Sequence, residues 1–187
     1  MTRPENILLA AILMLVQSSA VTAAGSPWID AVSVTLGKDD NSNETSIYRL
    51  GVQNKWERTW FNGGAWFLNG YWDVTLAYLE SDIDDSDLID VTLTPVFRLQ
   101  RDAELSSGVT PFAEAGVGPH LISNTRLGDR TLSTAFQLGS LVGLGLGFGD
   151  NGQYQLSYRF QHISNASIKT PNDGLELHLL RFAYAFR

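Results

Sequence analysis

The chain has 187 residues, the size of one domain, and its 13 basic and 20 acidic side chains give a net charge of −7. This acidic balance argues against nucleic acid as a partner. Because the chain contains no cysteine, a disulfide framework, a thiol nucleophile and a cysteine-ligated zinc site are all excluded.

The first element in the chain is an apolar run, "ILLAAILMLV", at residues 7–16. This run is too short to cross a bilayer, which needs about 20 residues. Arg3 precedes it, and the small residues of "VTAAG" follow it where a signal peptidase would cut. We therefore predict a secretory signal peptide over residues 1–24 and a single domain over residues 25–187. The alternative interpretation is a buried helix of a cytosolic protein.

The rest of the chain alternates between two kinds of side chain with the period of a β-strand. In "LNGYWDVTLAY", for example, Trp72, Val74 and Leu76 share one face, while Asp73 and Thr75 share the other. Eight segments with this pattern follow one another, at about 28–36, 46–56, 65–79, 88–99, 109–121, 134–148, 153–162 and 175–186.

These segments have the lengths expected of strands that cross a membrane. About 9–11 residues suit a tilted transmembrane strand, and eight is the smallest even strand number common in such barrels. Every backbone polar group in lipid must be paired, so the sheet has to close. The sequence therefore predicts an all-β fold, an eight-stranded antiparallel transmembrane β-barrel.

The connections between the segments alternate in length, as they do in outer-membrane barrels. "GDNG", at residues 149–152, is typical of a tight hairpin turn and is expected on the periplasmic side. Long polar connections are expected on the extracellular side, at 37–45, 80–87, 122–133 and 163–174.

A soluble eight-stranded barrel of the lipocalin type is the alternative fold, and it would turn the large apolar face inward. Here the opposite face carries small residues and charges of both signs, among them Asp73, Asp90, Arg98, Glu114 and Arg159. A narrow barrel can pack such a face inside as a network of opposite charges. We therefore favour the membrane barrel.

The stretch "FQHISNASIKTPNDGLELHLL" (160–180) joins the last two segments. Before the loop, His162 shares the parity of the lipid-facing aromatic residues, and Ser164 joins it if the strand persists that far. After the loop, Glu176 shares the lipid-facing parity. An ionisable group on the lipid face costs free energy and points to a function. The alternative is that both strands end earlier and these are ordinary loop residues.

These residue types can form a serine hydrolase site in the order His, Ser, Glu. His162 can take the proton of Ser164 and make it a nucleophile. Glu176 can hold the other imidazole nitrogen and stabilise the imidazolium. Asn165 can donate its amide to a developing oxyanion, together with a backbone N–H of the following turn.

Other assignments stay open at this point. His178 is a second candidate base, and Asp173 is a second candidate carboxylate, although "PNDG" is typical of a turn. His162, His178 and Glu176 are also candidate metal ligands, but two histidines and one acid without other donors make a sparse site.

At these residues the chain resembles the PagL-type lipid A 3-O-deacylases, a family of outer-membrane enzymes. The combination H-x-S-N with P-N-D-G-x-E in "HISNASIKTPNDGLE" carries the resemblance. It extends over nearly the whole chain after the signal peptide, through "GYWDVTLAYLE" (70–80), "LTPVFRL" (93–99), "TPFAEAGVGPHLIS" (110–123) and "TRLGDRTLSTAFQ" (125–137).

The resemblance implies an eight-stranded barrel whose triad faces lipid and removes the ester-linked 3-hydroxyacyl chain at position 3 of lipid A. It implies Ser164 as nucleophile, His162 as base and Glu176 as orienting acid. It also implies Asn165 in support of the oxyanion and Ser167 as the position of the second, backbone donor. Glycine is common at that position in the family, and this chain has serine.

The resemblance also sets expectations about binding and location. The acyl chains are expected along the aromatic face, on Tyr158, Phe160, Phe182 and Tyr184. No cofactor is needed. The expected partners are lipid A or lipopolysaccharide as substrate and the lipids of the bacterial outer membrane, with a homodimer left open. The site is expected to face the outer leaflet. A non-catalytic barrel with a structural or adhesive role is the alternative function.

Overall fold

The structure is a computed structural model that describes residues 28–40, 45–102, 105 and 107–186. In chain order its strands are β1 Ala31–Asp39, β2 Thr45–Lys55, β3 Trp66–Ser81, β4 Asp87–Arg101, β5 Val109–Ile122, β6 Arg126–Leu127, β7 Arg130–Thr131, β8 Phe136–Phe148, β9 Tyr154–Ser164 and β10 Leu175–Ala185. The predicted signal peptide lies outside the described residues.

Eight of these strands form one closed barrel in the order β1-β10-β9-β8-β5-β4-β3-β2, and every pairing in it is antiparallel. The predicted fold is therefore confirmed. The small hairpin of β6 and β7 lies within the connection that the sequence analysis treated as a loop without strands. In the described part of the chain, no helix combines the length and the apolarity that crossing a membrane requires.

The two faces of the barrel wall differ as the alternation predicts. On β3, Trp72 and Leu76 are 42% and 54% exposed, whereas Asp73 and Thr75 between them are buried. Large apolar side chains thus point out of the barrel, and polar ones point into it. This orientation contradicts the lipocalin-type alternative, because that fold turns its large apolar face inward.

The lumen has two layers. In the half next to the long connections 82–86, 123–135 and 165–174, here called the long-loop end, most inward side chains are apolar, although Asp39 and Gln137 are buried there as well. These buried residues form one cluster: Ile47, Ala77, Leu79, Leu88, Ile122, Leu127, Leu132, Ile163, Leu175, Leu177 and Leu179. The strands at this end are therefore fixed from inside by packing.

The other half of the lumen holds the charge network that the sequence predicts. Arg159 Nε donates to Glu114 Oε1 at 2.7 Å, and Arg98 Nη2 donates to Glu114 Oε2 at 3.1 Å. Tyr71 donates its hydroxyl to the same carboxylate at 2.9 Å. Gly143 on β8 makes room for this layer, because a Cβ there would lie 2.9 Å from the Arg159 Cγ.

Candidate active site

The three candidate catalytic residues meet on the outer wall at the long-loop end. β9 extends to Ser164, and the register between β9 and β10 places Glu176 directly opposite His162. The side chains of His162 and Glu176 are 44% and 41% exposed, so both are partly covered by the wall. Both strands therefore include these residues, and the alternative in which the strands end earlier is wrong.

The distances suit a nucleophile, a base and an orienting acid. His162 Nε2 lies 3.1 Å from Ser164 Oγ, and His162 Nδ1 lies 3.7 Å from Glu176 Oε1. A proton on Nδ1 directed at the carboxylate leaves Nε2 as an acceptor, so the Ser164 hydroxyl donates to it. Hydrogen bonds between catalytic groups are often long without substrate and shorten in the complex, which accommodates the 3.7 Å separation.

The rival residues have other partners. His178 Nε2 lies 2.7 Å from Asp40 Oδ1, and His178 Nδ1 is hydrogen-bonded to the Tyr158 hydroxyl. Asp173 Oδ2 accepts the Thr131 backbone N–H at 2.7 Å. In the ranges that the structure describes, no group of three or more histidine and acidic side chains is placed to hold a metal ion.

The backbone before Glu176 lies close against the imidazole. Gly174 is buried and has φ +67°, a conformation that favours glycine. A Cβ at this position would lie 3.3 Å from His162 Cε1 and 3.2 Å from the Ile163 carbonyl oxygen. The glycine of the "PNDG" motif therefore lets the loop approach His162 closely.

A tight turn follows the nucleophile. Ile168 donates its N–H to the Asn165 carbonyl at 3.1 Å, and the two central residues, Ala166 and Ser167, have φ of 52° and 64°. These values define a type I′ turn, which normally uses asparagine and glycine. A left-handed conformation costs a residue with a side chain about 1–2 kcal/mol, and such strain is concentrated at functional sites.

The turn leaves backbone donors beside the nucleophile. Within the described part of the chain, the N–H groups of Ala166 and Ser167 have no hydrogen-bond acceptor. The backbone N–H of Ser167 is therefore available to a ligand, and its role as an oxyanion donor stays a prediction.

The amide of Asn165 has a different environment from the one expected. Its Nδ2 donates to the carbonyls of Leu132 at 2.9 Å and Lys169 at 2.8 Å, which uses both amide hydrogens. Its backbone N–H donates to Asn172 Oδ1 at 3.1 Å. Asn165 is fully buried, so in this arrangement it holds the loop together and has no donor left for an oxyanion.

Asn172 is a candidate site residue that was not expected from the sequence. Asn172 Oδ1 accepts the backbone N–H of Asn165, which directly follows Ser164. The Nδ2 of Asn172 has no acceptor among the described contacts. The only sequence signal was an amide residue in a polar loop, which does not distinguish a donor from a turn former.

The loop that carries these residues is held by the preceding long connection. Asp173 and Thr131 form a reciprocal pair, in which the Asp173 N–H donates to the Thr131 carbonyl at 3.1 Å and the Thr131 N–H donates to the carboxylate. Ser133 donates its hydroxyl to the Pro171 carbonyl at 2.6 Å. The connection 123–135 therefore supports the geometry of the site.

The four expected acyl-chain contacts all lie on the outer wall. Tyr158 and Phe182 are 49% and 43% exposed, and Phe160 and Tyr184 are half-buried. Tyr184 lies eight residues along β10 from Glu176, roughly 27 Å away, and packs on Tyr154 with ring centroids 5.5 Å apart. It therefore belongs to the aromatic band at the far end of the barrel, and so does Phe182, whose ring stacks on Tyr154 with centroids 6.2 Å apart. Phe160 and Tyr158 lie nearer the site.

Ser167→Gly is expected to stabilise the protein, because glycine adopts φ near 64° without the cost that serine bears. The expected gain is about 1 kcal/mol in the free energy of unfolding, measured by urea titration in detergent micelles. Ser167→Ala is the matched control, since it removes the hydroxyl and keeps the strain, and it should leave the midpoint unchanged. An equal gain in both variants would assign the effect to the hydroxyl.

Known proteins resemble this chain over most of its length. The family model described as "Lipid A 3-O-deacylase (PagL)" matches residues 46–185. The chain is 34% identical over 167 residues to the lipid A deacylase PagL of Pseudomonas aeruginosa, covering 89% of this chain and 92% of that protein. It is 39% identical over 75 residues to the lipid A deacylase PagL of Bordetella bronchiseptica, covering 40% of this chain and 41% of that protein.

A solved structure gives the same result for the fold. The crystal structure of the outer membrane enzyme PagL superposes with a TM-score of 0.74 at 31% identity, covering 83% of this chain and 99% of that one. With its closed barrel and outward apolar face, this chain is likewise an outer-membrane protein. The chain belongs to the lipid A 3-O-deacylase (PagL) family.

Proposed function

We propose that this protein hydrolyses the ester that links the 3-hydroxyacyl chain to position 3 of lipid A, with Ser164, His162 and Glu176 as its catalytic residues. The observation that carries the proposal is the contact of His162 Nε2 with Ser164 Oγ at 3.1 Å on the lipid-facing wall, with Glu176 opposite the imidazole. Membership of the deacylase family supports the choice of substrate.

The reaction proceeds in two halves. Ser164 Oγ attacks the ester carbonyl carbon while His162 Nε2 takes the hydroxyl proton, and the imidazolium is stabilised by Glu176. The tetrahedral intermediate collapses, and the sugar oxygen leaves with the proton from His162. Water then attacks the acyl-enzyme with His162 as base, which releases the 3-hydroxy fatty acid and restores Ser164.

The oxyanion is stabilised by donors from the loop after Ser164. The backbone N–H of Ser167 is one, and Nδ2 of Asn172 is the second, since both lack acceptors among the described contacts. Asn165 supports this arrangement by holding Asn172 Oδ1 at 3.1 Å with its backbone N–H. In this arrangement Asn172 supplies the donor that was expected from Asn165, and Asn165 holds Asn172 in position.

The location of the site suits a lipid substrate. With the long-loop end on the cell exterior, the triad faces the outer leaflet, where lipid A resides, and the substrate reaches it by lateral diffusion. The acyl chain then lies along Phe160, Tyr158 and Phe182 on the wall. A homodimer stays a prediction, which sedimentation of the detergent-solubilised protein would test.

Mass spectrometry of lipid A tests the proposal directly. Expression of the full chain in a bacterium whose lipid A carries an ester-linked 3-hydroxyacyl chain at position 3 should reduce the lipid mass by that chain and release the free 3-hydroxy fatty acid. Unchanged lipid A, with the barrel folded in the outer membrane, would instead favour the non-catalytic barrel.

A further inference from the structure

A second set of polar side chains lies on the outer wall beside the triad, and its polar atoms take no part in the proposed mechanism. Its members are Asp40, His178 and Tyr158. His178 Nε2 is 2.7 Å from Asp40 Oδ1, and its Nδ1 is hydrogen-bonded to the Tyr158 hydroxyl. The two rings are stacked with centroids 5.9 Å apart. We call these three residues the Tyr158 relay.

The two hydrogen bonds determine where protons sit in the Tyr158 relay. Asp40 accepts the Nε2–H of His178, so Nδ1 is an acceptor and takes the Tyr158 O–H. The Tyr158 oxygen then keeps an accepting lone pair for a ligand. If the imidazole is charged, Nδ1–H donates to Tyr158, whose own O–H turns outward as a donor. A ligand hydroxyl satisfies Tyr158 in both states, because a hydroxyl can donate and accept.

His178 and Tyr158 lie deeper in the wall than the triad, whereas Asp40 lies level with Glu176, whose carbonyl accepts its N–H at 2.8 Å. His178 follows Glu176 by two residues on the same face of β10, which places it about 7 Å further along the strand. Its cross-strand partner is Phe160, whose ring centroid lies 5.4 Å from the imidazole. A ligand atom that meets Tyr158 therefore belongs to the upper part of an acyl chain rather than to the sugar.

A groove of about 420 Å³ opens at the Tyr158 relay and runs toward β1 and β2. Tyr158 and His178 line it together with the apolar side chains of Leu36 and Leu180. Leu36 and Leu180 are cross-strand partners on the outer face, so the groove lies on the far side of β10 from Ser164. A chain in this groove runs beside the chain whose ester is at Ser164.

We propose that the Tyr158 relay binds the hydroxyl near the head of a second, hydroxylated acyl chain of the same substrate, lying next to the chain that is hydrolysed. This inference rests on the proposed function and extends it to substrate selection. Polar groups on a lipid-facing wall lack water as a partner, so an unsubstituted chain leaves the remaining hydrogen-bonding position of the Tyr158 oxygen without a partner. A site built to hydrogen-bond a substrate hydroxyl rejects the analogue that lacks it.

The test pairs two substrates with two variants of the full chain. Both substrates are diacylated glucosamine lipids with the same ester-linked 3-hydroxyacyl chain at position 3. They differ in whether the amide-linked chain at position 2 carries a hydroxyl. The variants are Tyr158→Phe and, as matched control, Tyr78→Phe. The control also removes an outward, hydrogen-bonded hydroxyl, which donates to Asp87 Oδ2 at 3.1 Å.

The wild-type protein is expected to prefer the hydroxylated substrate by about tenfold in kcat/KM, the effect of one hydrogen bond. Tyr158→Phe keeps the aromatic ring and removes only the hydroxyl, so it should lose this preference. Tyr78→Phe should keep the preference. An equal loss on both substrates in Tyr158→Phe, or no preference in the wild-type protein, would overturn the inference. Hydrolysis that persists in Ser164→Ala would instead overturn the proposed function.

Discussion

Ser164→Ala should abolish release of the 3-hydroxy fatty acid, lowering kcat by at least about a thousandfold. Ser164 Oγ lies 3.1 Å from His162 Nε2. Among the described residues no other hydroxyl is hydrogen-bonded to this nitrogen, so none can replace the nucleophile. Removing the nucleophile of a triad costs about as much as removing the whole triad. The measurement is the amount of free 3-hydroxy fatty acid released by purified outer membranes, followed by mass spectrometry.

Ser140→Ala is the matched control for this loss. Ser140 is exposed on the same outer face and is the β8 partner of His162, but it has no hydrogen bond to the imidazole. It should therefore retain activity. Glu176→Gln should fall between the two, with a loss of about 10² to 10⁴ in kcat, because the acid orients the base and does not react. Retained release by Ser164→Ala in folded protein would contradict the triad.

The meeting of His162, Ser164 and Glu176 could be predicted because strand parity is a local rule. Side chains alternate strictly along a strand, so the aromatic residues before His162 and after Glu176 determine which way both point. The sequence left open how far the two strands extend toward the loop, and the structure answers that question, because β9 ends at Ser164 and β10 begins at Leu175. The family that the H-x-S-N and P-N-D-G-x-E motifs predicted is confirmed by the comparisons.

The arrangement of the oxyanion loop could not be predicted, because it depends on contacts between two loops distant in the chain. The amide of Asn165 bonds the Leu132 carbonyl, and Asp173 pairs with Thr131. No periodicity links residues near 131 to residues near 170. The sequence pattern identified amides in the right segment, but only the tertiary contacts separate a structural Asn165 from an available Asn172.

Parity also predicted which side chains enter the lumen without predicting how they are layered. Leu177 and Leu179 share the inward parity of Arg181 on β10, yet the first two belong to the apolar cluster beneath the site. This division follows from the depth of each residue along the tilted strands. Apolar packing inside the lumen holds the end of the barrel that carries the triad. In the other half, the ion pairs around Glu114 contribute to stability.

Glu114→Ala is expected to destabilise the barrel by about 3–5 kcal/mol, the cost of removing one partner from a buried ion pair. Glu114 accepts hydrogen bonds from Arg159 at 2.7 Å, Arg98 at 3.1 Å and Tyr71 at 2.9 Å. Both arginines are nearly fully buried, so without the carboxylate two cations remain close together in a volume of low dielectric. The measurement is the urea midpoint of the protein folded in detergent micelles or lipid vesicles.

Asp85→Asn separates this effect from a change in net charge. Asp85 is exposed in the connection between β3 and β4, and its substitution removes one negative charge, as Glu114→Ala does. Water solvates that carboxylate in both states, so the midpoint should move by no more than about 0.5 kcal/mol. Glu114→Gln should lie between them, since the amide keeps the volume and one acceptor oxygen but not the charge. A Glu114→Ala midpoint equal to that of Asp85→Asn would show that the remaining partners, Asp73 for Arg159 and Gln155 for Arg98, compensate the lost carboxylate.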